Sequence, residues 1–229
     1  MKTKLTLDEA LEHVGFGPFQ VRLLLLCGAI WAAVAMDVLV VSFALPSLRQ
    51  EWALSPTQAG LLASAAFWGM LVGAWFWGIV ADRVGRRRVL AITIIVENVF
   101  TLFASLAPSF PVVLVMRALI GFGMGGALPA DYALFAEFLP VDRRGRNLVL
   151  MEGFWAVGAL AAAGAAWAVI PKFGWRPFFA LAALPGILAY YVLRHVPESP
   201  RFLVVRGQAE QAWEVLARIA HSNGRSFPN

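Results

Sequence analysis

The sequence predicts an all-α membrane protein with six transmembrane helices, and three observations carry that prediction. Of the 229 residues, 60% are hydrophobic and 14% charged, and the mean hydropathy is +0.71, a usage far from that of a soluble domain. Six apolar stretches reach the length of about 20 residues that a helix needs to cross a bilayer. The basic residues alternate with these stretches. Lys2, Lys4, Arg22, the cluster Arg83 to Arg88, Arg143, Arg144, Arg146 and the arginines from Arg194 onward fall on one side of a six-span topology, and Arg49, Lys172 and Arg176 on the other. A net charge of +5 so distributed points to a membrane rather than to nucleic acid, and the positive-inside rule puts both termini in the cytoplasm, with the cell (inner) membrane as the expected location.

Residues 1–20 read as an amphipathic segment on the cytoplasmic surface. Thr6 and Glu9 have capping-box spacing, Leu7, Leu11 and Val14 recur at helical intervals, and Gly15-Phe-Gly-Pro18 breaks the helix. This polar start, holding Asp8, Glu9 and Glu12, is no secretory signal. Residues 21–196 form the transmembrane bundle, with spans expected at Val21 to Leu45, Thr57 to Val80, Val89 to Ala107, Pro111 to Leu139, Asn147 to Ile170 and Trp175 to Val196. Residues 197–229 read as a cytoplasmic linker with a second amphipathic helix, in which Trp213, Leu216 and Ala220 share a face and Asn223-Gly224 ends it. One cysteine, Cys27, allows neither a disulfide nor a Cys-based metal cluster, and the three histidines lie outside the spans or at their edges. No metal or cofactor is expected, and no enzyme, since membrane catalysis would need a nucleophile with its base or metal ligands inside the spans.

Two motifs narrow the reading. Gly78-Ile-Val-Ala-Asp82-Arg83-Val-Gly85-Arg86-Arg87-Arg88 compresses an acid, two glycines and four arginines into a hairpin between the second and third spans. The fourth span carries Arg117-Ala-Leu-Ile-Gly121-Phe-Gly123-Met-Gly125-Gly126, in which Gly121 and Gly125, four apart, clear one helix face for close approach of a neighbouring backbone. Both patterns resemble the major facilitator superfamily, the first its loop between helices 2 and 3, the second its R-x-x-x-G-x-G-x-G-G element. Pro197-Glu198-Ser199-Pro200-Arg201 resembles the start of the linker between the two six-helix halves in sugar and organic-ion facilitators.

The resemblance implies a six-helix half built as two three-helix inverted repeats, working with a second six-helix half or a second copy. It implies alternating-access transport of a small organic solute, with protons as the coupling ion. Gly158 to Gly164 lacks the proline of the drug-antiporter element, which favours uptake over drug export. The runs Leu128-Pro-Ala-Asp131-Tyr132, Ala136-Glu137-Phe-Leu-Pro140 and Glu152-Gly-Phe-Trp155 are most similar to the branch of synaptic-vesicle-2-related proteins and bacterial niacin-type carriers. Members there often carry another acid three residues before the position of Asp37, where this chain has Val34. An organic-cation or sugar facilitator or antiporter, and a non-transporting receptor or scaffold, remain alternatives.

Intramembrane charge names the candidate site. An arginine in a span costs about 2.5–3.5 kcal/mol on insertion scales and seeks an acid. At 1.5 Å rise per residue, Asp37 lies about 24 Å from the cytoplasmic start of the first span and Arg117 about 9 Å from the outer start of the fourth, so the two share a height. They are expected to pair, for proton coupling or as a structural bridge. Asp131 and Glu152 form a second set in the cytoplasmic third, with Asp131 about 40° round the helix from Arg117, and Trp31, Trp155 and Trp68 are candidate cavity aromatics. Glu97 reads as a structural partner. The resemblance further implies a cytoplasmic gating network of Asp82, Arg83, Arg86, Arg87, Glu137, Arg144 and Arg146 with Gly78 and Gly85, and helix packing through Gly121, Gly123, Gly125 and Gly126. A lone bundle is expected to present Asp37, Arg117 and Asp131 on an open face.

Overall fold

Thr6 caps the first helix as its spacing predicts. In the computed structural model, which describes residues 6–227, the Glu9 amide donates to the Thr6 hydroxyl and the Thr6 amide donates to the Glu9 carboxylate at 2.7 Å. The Thr6 amide, and the Thr6 hydroxyl that also donates to the carboxylate at 2.9 Å, hold the Glu9 carboxyl below its ordinary range. Helix α1 (Leu7–Val14) buries Ala10, Leu11 and Val14. Gly15, at φ 62, makes the left-handed turn that glycine adopts without strain, and Pro18 opens the next helix. Lys2 and Lys4 lie outside the described residues.

Six helical segments are long and apolar enough to cross a membrane. The first four are α2 (Pro18–Trp52), α3 (Pro56–Val84), α4 (Arg86–Ser105) and α5 (Phe110–Ala136). The fifth is α6 (Val141–Glu152) followed by α7 (Phe154–Phe173), and the sixth is α8 (Trp175–Ala182), a 3₁₀ turn (Leu184–Ile187) and α9 (Leu188–His195). Helix α1 and the segment after α9 therefore lie on one side of the bundle, where α10 (Pro200–Val205) and α11 (Ala209–Ser222) follow.

Three departures from the sequence reading have a clear physical cause. Helix α2 continues through Pro46 to Trp52 because its far end is tied down: Glu51 accepts from Trp175 Nε1 at 2.7 Å and from both terminal nitrogens of Arg176 at 2.8 and 3.1 Å. The fifth span starts at Val141, its polar first turn capped from a distance, since Glu12 Oε1 accepts from the Val141 amide at 2.7 Å. Pro185 removes an amide from the sixth span, which tightens there into the 3₁₀ turn.

Glycine decides the packing. A Cβ at Gly121 of α5 would stand 1.9 Å from the Ala66 carbonyl oxygen of α3, and one at Gly125 2.3 Å from that of Met70. Helix α3 answers with Gly69 and Gly73, whose added Cβ atoms would meet the Ala118 and Phe122 carbonyls at 1.9 and 2.2 Å. The other faces of α5 use Gly123 against the Glu97 backbone of α4 and Gly126 against Trp77. The same device recurs between α7 and α2, where a Cβ on Gly158 would meet the Ala32 carbonyl at 2.0 Å. The second span thus lies against the fourth as the fifth lies against the first, the correspondence expected of two inverted three-helix repeats.

On the side of the termini, α1 and α11 close the bundle. Asn223, just past α11, donates to the Val14 carbonyl (3.1 Å) and to Gln20 Oε1 (2.9 Å) and accepts from the Phe19 amide (3.2 Å). Gln20 in turn donates to the Phe138 carbonyl beyond α5 at 3.3 Å.

Candidate functional site

Helices α2, α4 and α5 enclose a cluster of charge. Asp37 and Arg117 are each 1% exposed and Glu97 2%. The structure brings Asp37 and Arg117 together, as their heights required, but not as a carboxylate–guanidinium pair. Arg117 Nη1 donates to the backbone carbonyl of Asp37 at 3.0 Å, while Asp37 Oδ2 accepts from the Thr101 hydroxyl at 2.8 Å. The Thr101 oxygen also lies 3.0 Å from the Glu97 carbonyl one turn back on α4. The Glu97 and Asp37 carboxyls are within hydrogen-bonding reach of each other. Asp37 Oδ1 and Arg117 Nε meet no other partner among the described residues. Glu97, read from sequence as a structural partner, belongs to this cluster; an acid in an apolar run was its signal, and the rotation of α4 supplied the rest.

Burial corrects the expectation that one bundle leaves its charges on an open face. Asp37, Arg117 and Asp131 are all enclosed by their own six helices, because glycine lets α5 approach α3 and α4 closely enough to seal them, and burial spares each the cost of meeting lipid.

Asp131 and Glu152 do not form a set. Asp131 is 0% exposed, sits against the Cys27 thiol of α2 and has no nitrogen or oxygen donor on either carboxylate oxygen. Glu152, last residue of α6, points outward and is exposed. The aromatic candidates fare better. Trp31 of α2 stands 6.2 Å from Trp155 of α7 and 6.3 Å from Tyr132 of α5, ring centre to ring centre. Trp31 and Trp155 are half-buried and Tyr132 is exposed. Trp68, 67% exposed on α3, stands apart from that group. The candidates therefore divide into a partly accessible aromatic group and charge buried within the bundle.

The hairpin motif builds a third constellation, on the side of the termini. Gly85, at φ 107, separates α3 from α4, and a Cβ there would stand 2.5 Å from Glu198 Oε2. Glu198 accepts from the Arg87 amide at 3.1 Å. Arg86 reaches Asp82 at 3.2 Å and Glu137, at the end of α5, at 3.5 Å. Glu137 also accepts from the Ser199 hydroxyl, which caps α10. Arg87 donates to the Leu193 carbonyl, and Arg86 and Arg206 flank the Phe202 ring. Arg144 is 3.8 Å from Asp8 and donates to the Leu139 carbonyl at 3.2 Å. Three expected members fall outside the network: Arg83 contributes only its backbone carbonyl, to Arg206, Arg146 is exposed, and Gly78 faces open space. Glu198 and Ser199 join instead, from the Pro197 to Arg201 motif.

The hairpin motif and the glycine-rich fourth span resemble one family, and residues 25–223 match the model described as Major Facilitator Superfamily. The chain belongs to the major facilitator superfamily. This superfamily member is 38% identical over 226 residues to organic cation/carnitine transporter 7 of Arabidopsis thaliana, covering 99% of the chain and 45% of that protein. It is 40% identical to the synaptic vesicle 2-related protein of Xenopus laevis, with 96% and 40% covered. The niacin transporter NiaP of Acinetobacter baylyi is 37% identical, with 93% and 49% covered. Among solved structures, the xylose transporter XylE of E. coli in a partially occluded inward-open conformation superposes with a TM-score of 0.74 at 24% identity, over 88% of the chain and 55% of XylE. That likeness shows the fold. The chain spans less than half the length of these curated relatives.

Proposed function

We propose that this multi-pass membrane protein forms one six-helix half of an alternating-access carrier that moves a small organic solute together with protons. The observation that carries the reading is the buried charge of Asp37, Glu97 and Arg117, shielded from the bilayer, where ionisable side chains mark ion pathways and proton relays. Separately, Trp31, Trp155 and Tyr132 offer aromatic surface for a flat or cationic solute. Superfamily members of this plan hold substrate near the midplane between two bundles and rock one against the other. The missing partner is a second six-helix half or a second copy of this chain.

The positive-inside rule assigns the side of both termini to the cytoplasm. Residues 1–20 and 197–229 then flank the bundle of residues 21–196 as a cytoplasmic cap, and the Asp82–Arg86–Glu137–Ser199 contacts hold that side closed. An organic cation is a second reading, favoured by the exposed Glu152 carboxylate on the helix that leads to Trp155.

The carrier completed with a second six-helix half, tested for thermal stabilisation by pyridine carboxylates, aromatic acids, sugars and amines, gives the solute class, and Trp31→Ala should abolish any shift. Counterflow in liposomes holding single chains should be silent and should appear when a second six-helix half is supplied. Robust uptake by single chains would overturn the two-bundle reading, and transport indifferent to a proton gradient would overturn the coupling.

A further inference from the structure

We infer that Asp37 and Glu97 together hold one proton, with Arg117 setting that number, so that Glu97 on α4 is itself a proton-holding residue of the buried cluster. Two carboxyls from different helices lie in reach of each other, enclosed at 1% and 2% exposure. Two carboxylates in contact repel strongly where water is excluded, and a hydrogen bond between them forms only when one of them is protonated. Asp37 Oδ1 has no other donor among the described residues. The single hydroxyl proton of Thr101 serves either Asp37 Oδ2 or the Glu97 carbonyl, both within 3.0 Å of its oxygen.

Charge counting agrees. Asp37 is the acid that α2 brings, Glu97 the one that α4 brings, and Arg117 the cation of α5. Helix α3 and the 3₁₀ turn bring no charge to this level, Arg176 of α8 is engaged with Glu51 at the far end, and Arg194 and His195 of α9 lie at the side of the termini. Asp131 lies lower, against Cys27. Two acids and one guanidinium leave one negative charge uncompensated in a low-dielectric interior, and one bound proton neutralises it.

The guanidinium is not spent on either carboxylate, because Arg117 is bonded to the Asp37 carbonyl. A motion that turns it onto the pair and at the same time admits water lets that water solvate the leftover negative charge: the carboxyl O–H breaks, the proton passes to the entering water, and two carboxylates remain facing the cation. This consequence for transport rests on the proton-coupled reading above, whereas the proton count does not.

Infrared difference spectroscopy of the full chain in lipid nanodiscs at neutral pH, comparing each variant with wild type, reads the count without any transport. Asp37→Asn and Glu97→Gln should each lose one protonated-carboxyl band, since one acid left with one cation is ionised. Arg117→Gln should gain one such band. An unchanged band in either acid variant, or no gain in Arg117→Gln, overturns the shared proton. Should Glu97→Gln fail to fold, the Asp37→Asn and Arg117→Gln spectra decide alone. If the counts hold but a proton gradient drives no uptake in the two-half carrier, the coupling reading fails and the proton site stands.

Discussion

Replacing Gly121 with alanine should strike the bundle at its tightest contact. The new methyl would stand 1.9 Å from the Ala66 carbonyl oxygen, against an ordinary carbon–oxygen contact of about 3.3 Å, so α3 must withdraw by roughly 1.4 Å. That oxygen belongs to a helix backbone and cannot swing away as a side chain would. Withdrawal also loosens the neighbouring contacts of Gly69, Gly73 and Gly125, which share the crossing. Overpacking of this kind costs about 1–3 kcal/mol, and weak Cα–H···O contacts worth about 0.5–1 kcal/mol each go with it, so the expected loss is about 2–4 kcal/mol. Gly164→Ala on α7 is the control: nothing lies within 4 Å of its added Cβ, and exchanging glycine for alanine within a helix should stabilise by about 0.5–1 kcal/mol. Unfolding in mixed micelles by titrated denaturing detergent compares the two. Equal stability of Gly121→Ala and Gly164→Ala would refute the argument, because the backbone crossing would then carry no weight.

Other outcomes follow from the remaining contacts. In a two-half carrier Asp37→Asn should abolish proton-driven uptake with insertion intact, and Arg117→Gln should impair it; a double variant losing less than the sum of the singles shows that the two are coupled, whereas strict additivity shows that they are not. Glu137→Gln should raise cysteine accessibility on the side of the termini more than Asp82→Asn, because Glu137 joins Arg86 to Ser199 while the Asp82 side chain is 74% exposed and such surface pairs contribute at most about 1 kcal/mol; equal effects would count against the closing role. Glu12→Ala should remove the cap from α6 at a cost of about 1 kcal/mol and speed hydrogen exchange at Val141 and Asp142, and unchanged exchange would show that the cap is idle.

Sequence periodicity and helix geometry made much of this legible. The six spans, the Thr6 cap and the shared height of Asp37 and Arg117 follow from rules that act along one helix. What stayed hidden depends on how helices rotate about one another. Nothing local says that Glu97 turns toward Asp37, that Arg117 takes a carbonyl instead of a carboxylate, or that Asp131 faces Cys27. Contacts at long sequence separation were equally invisible: Glu12 capping α6, Glu51 anchoring the extended end of α2, and Asn223 fastening α11 to the base of the first span. The glycines sit between these cases. Gly121 and Gly125 announced a packing face, but their counterparts Gly69 and Gly73 became meaningful only when the crossing appeared.

The enclosure of Asp37, Glu97, Arg117 and Asp131 bears on biosynthesis. A bundle that encloses these four groups among its own helices needs no later helix to cover them. Domains generally complete folding as units during synthesis. These six spans can accordingly leave the insertion machinery with those four charges already hidden from lipid, and the proposed second bundle would have none of them left to neutralise.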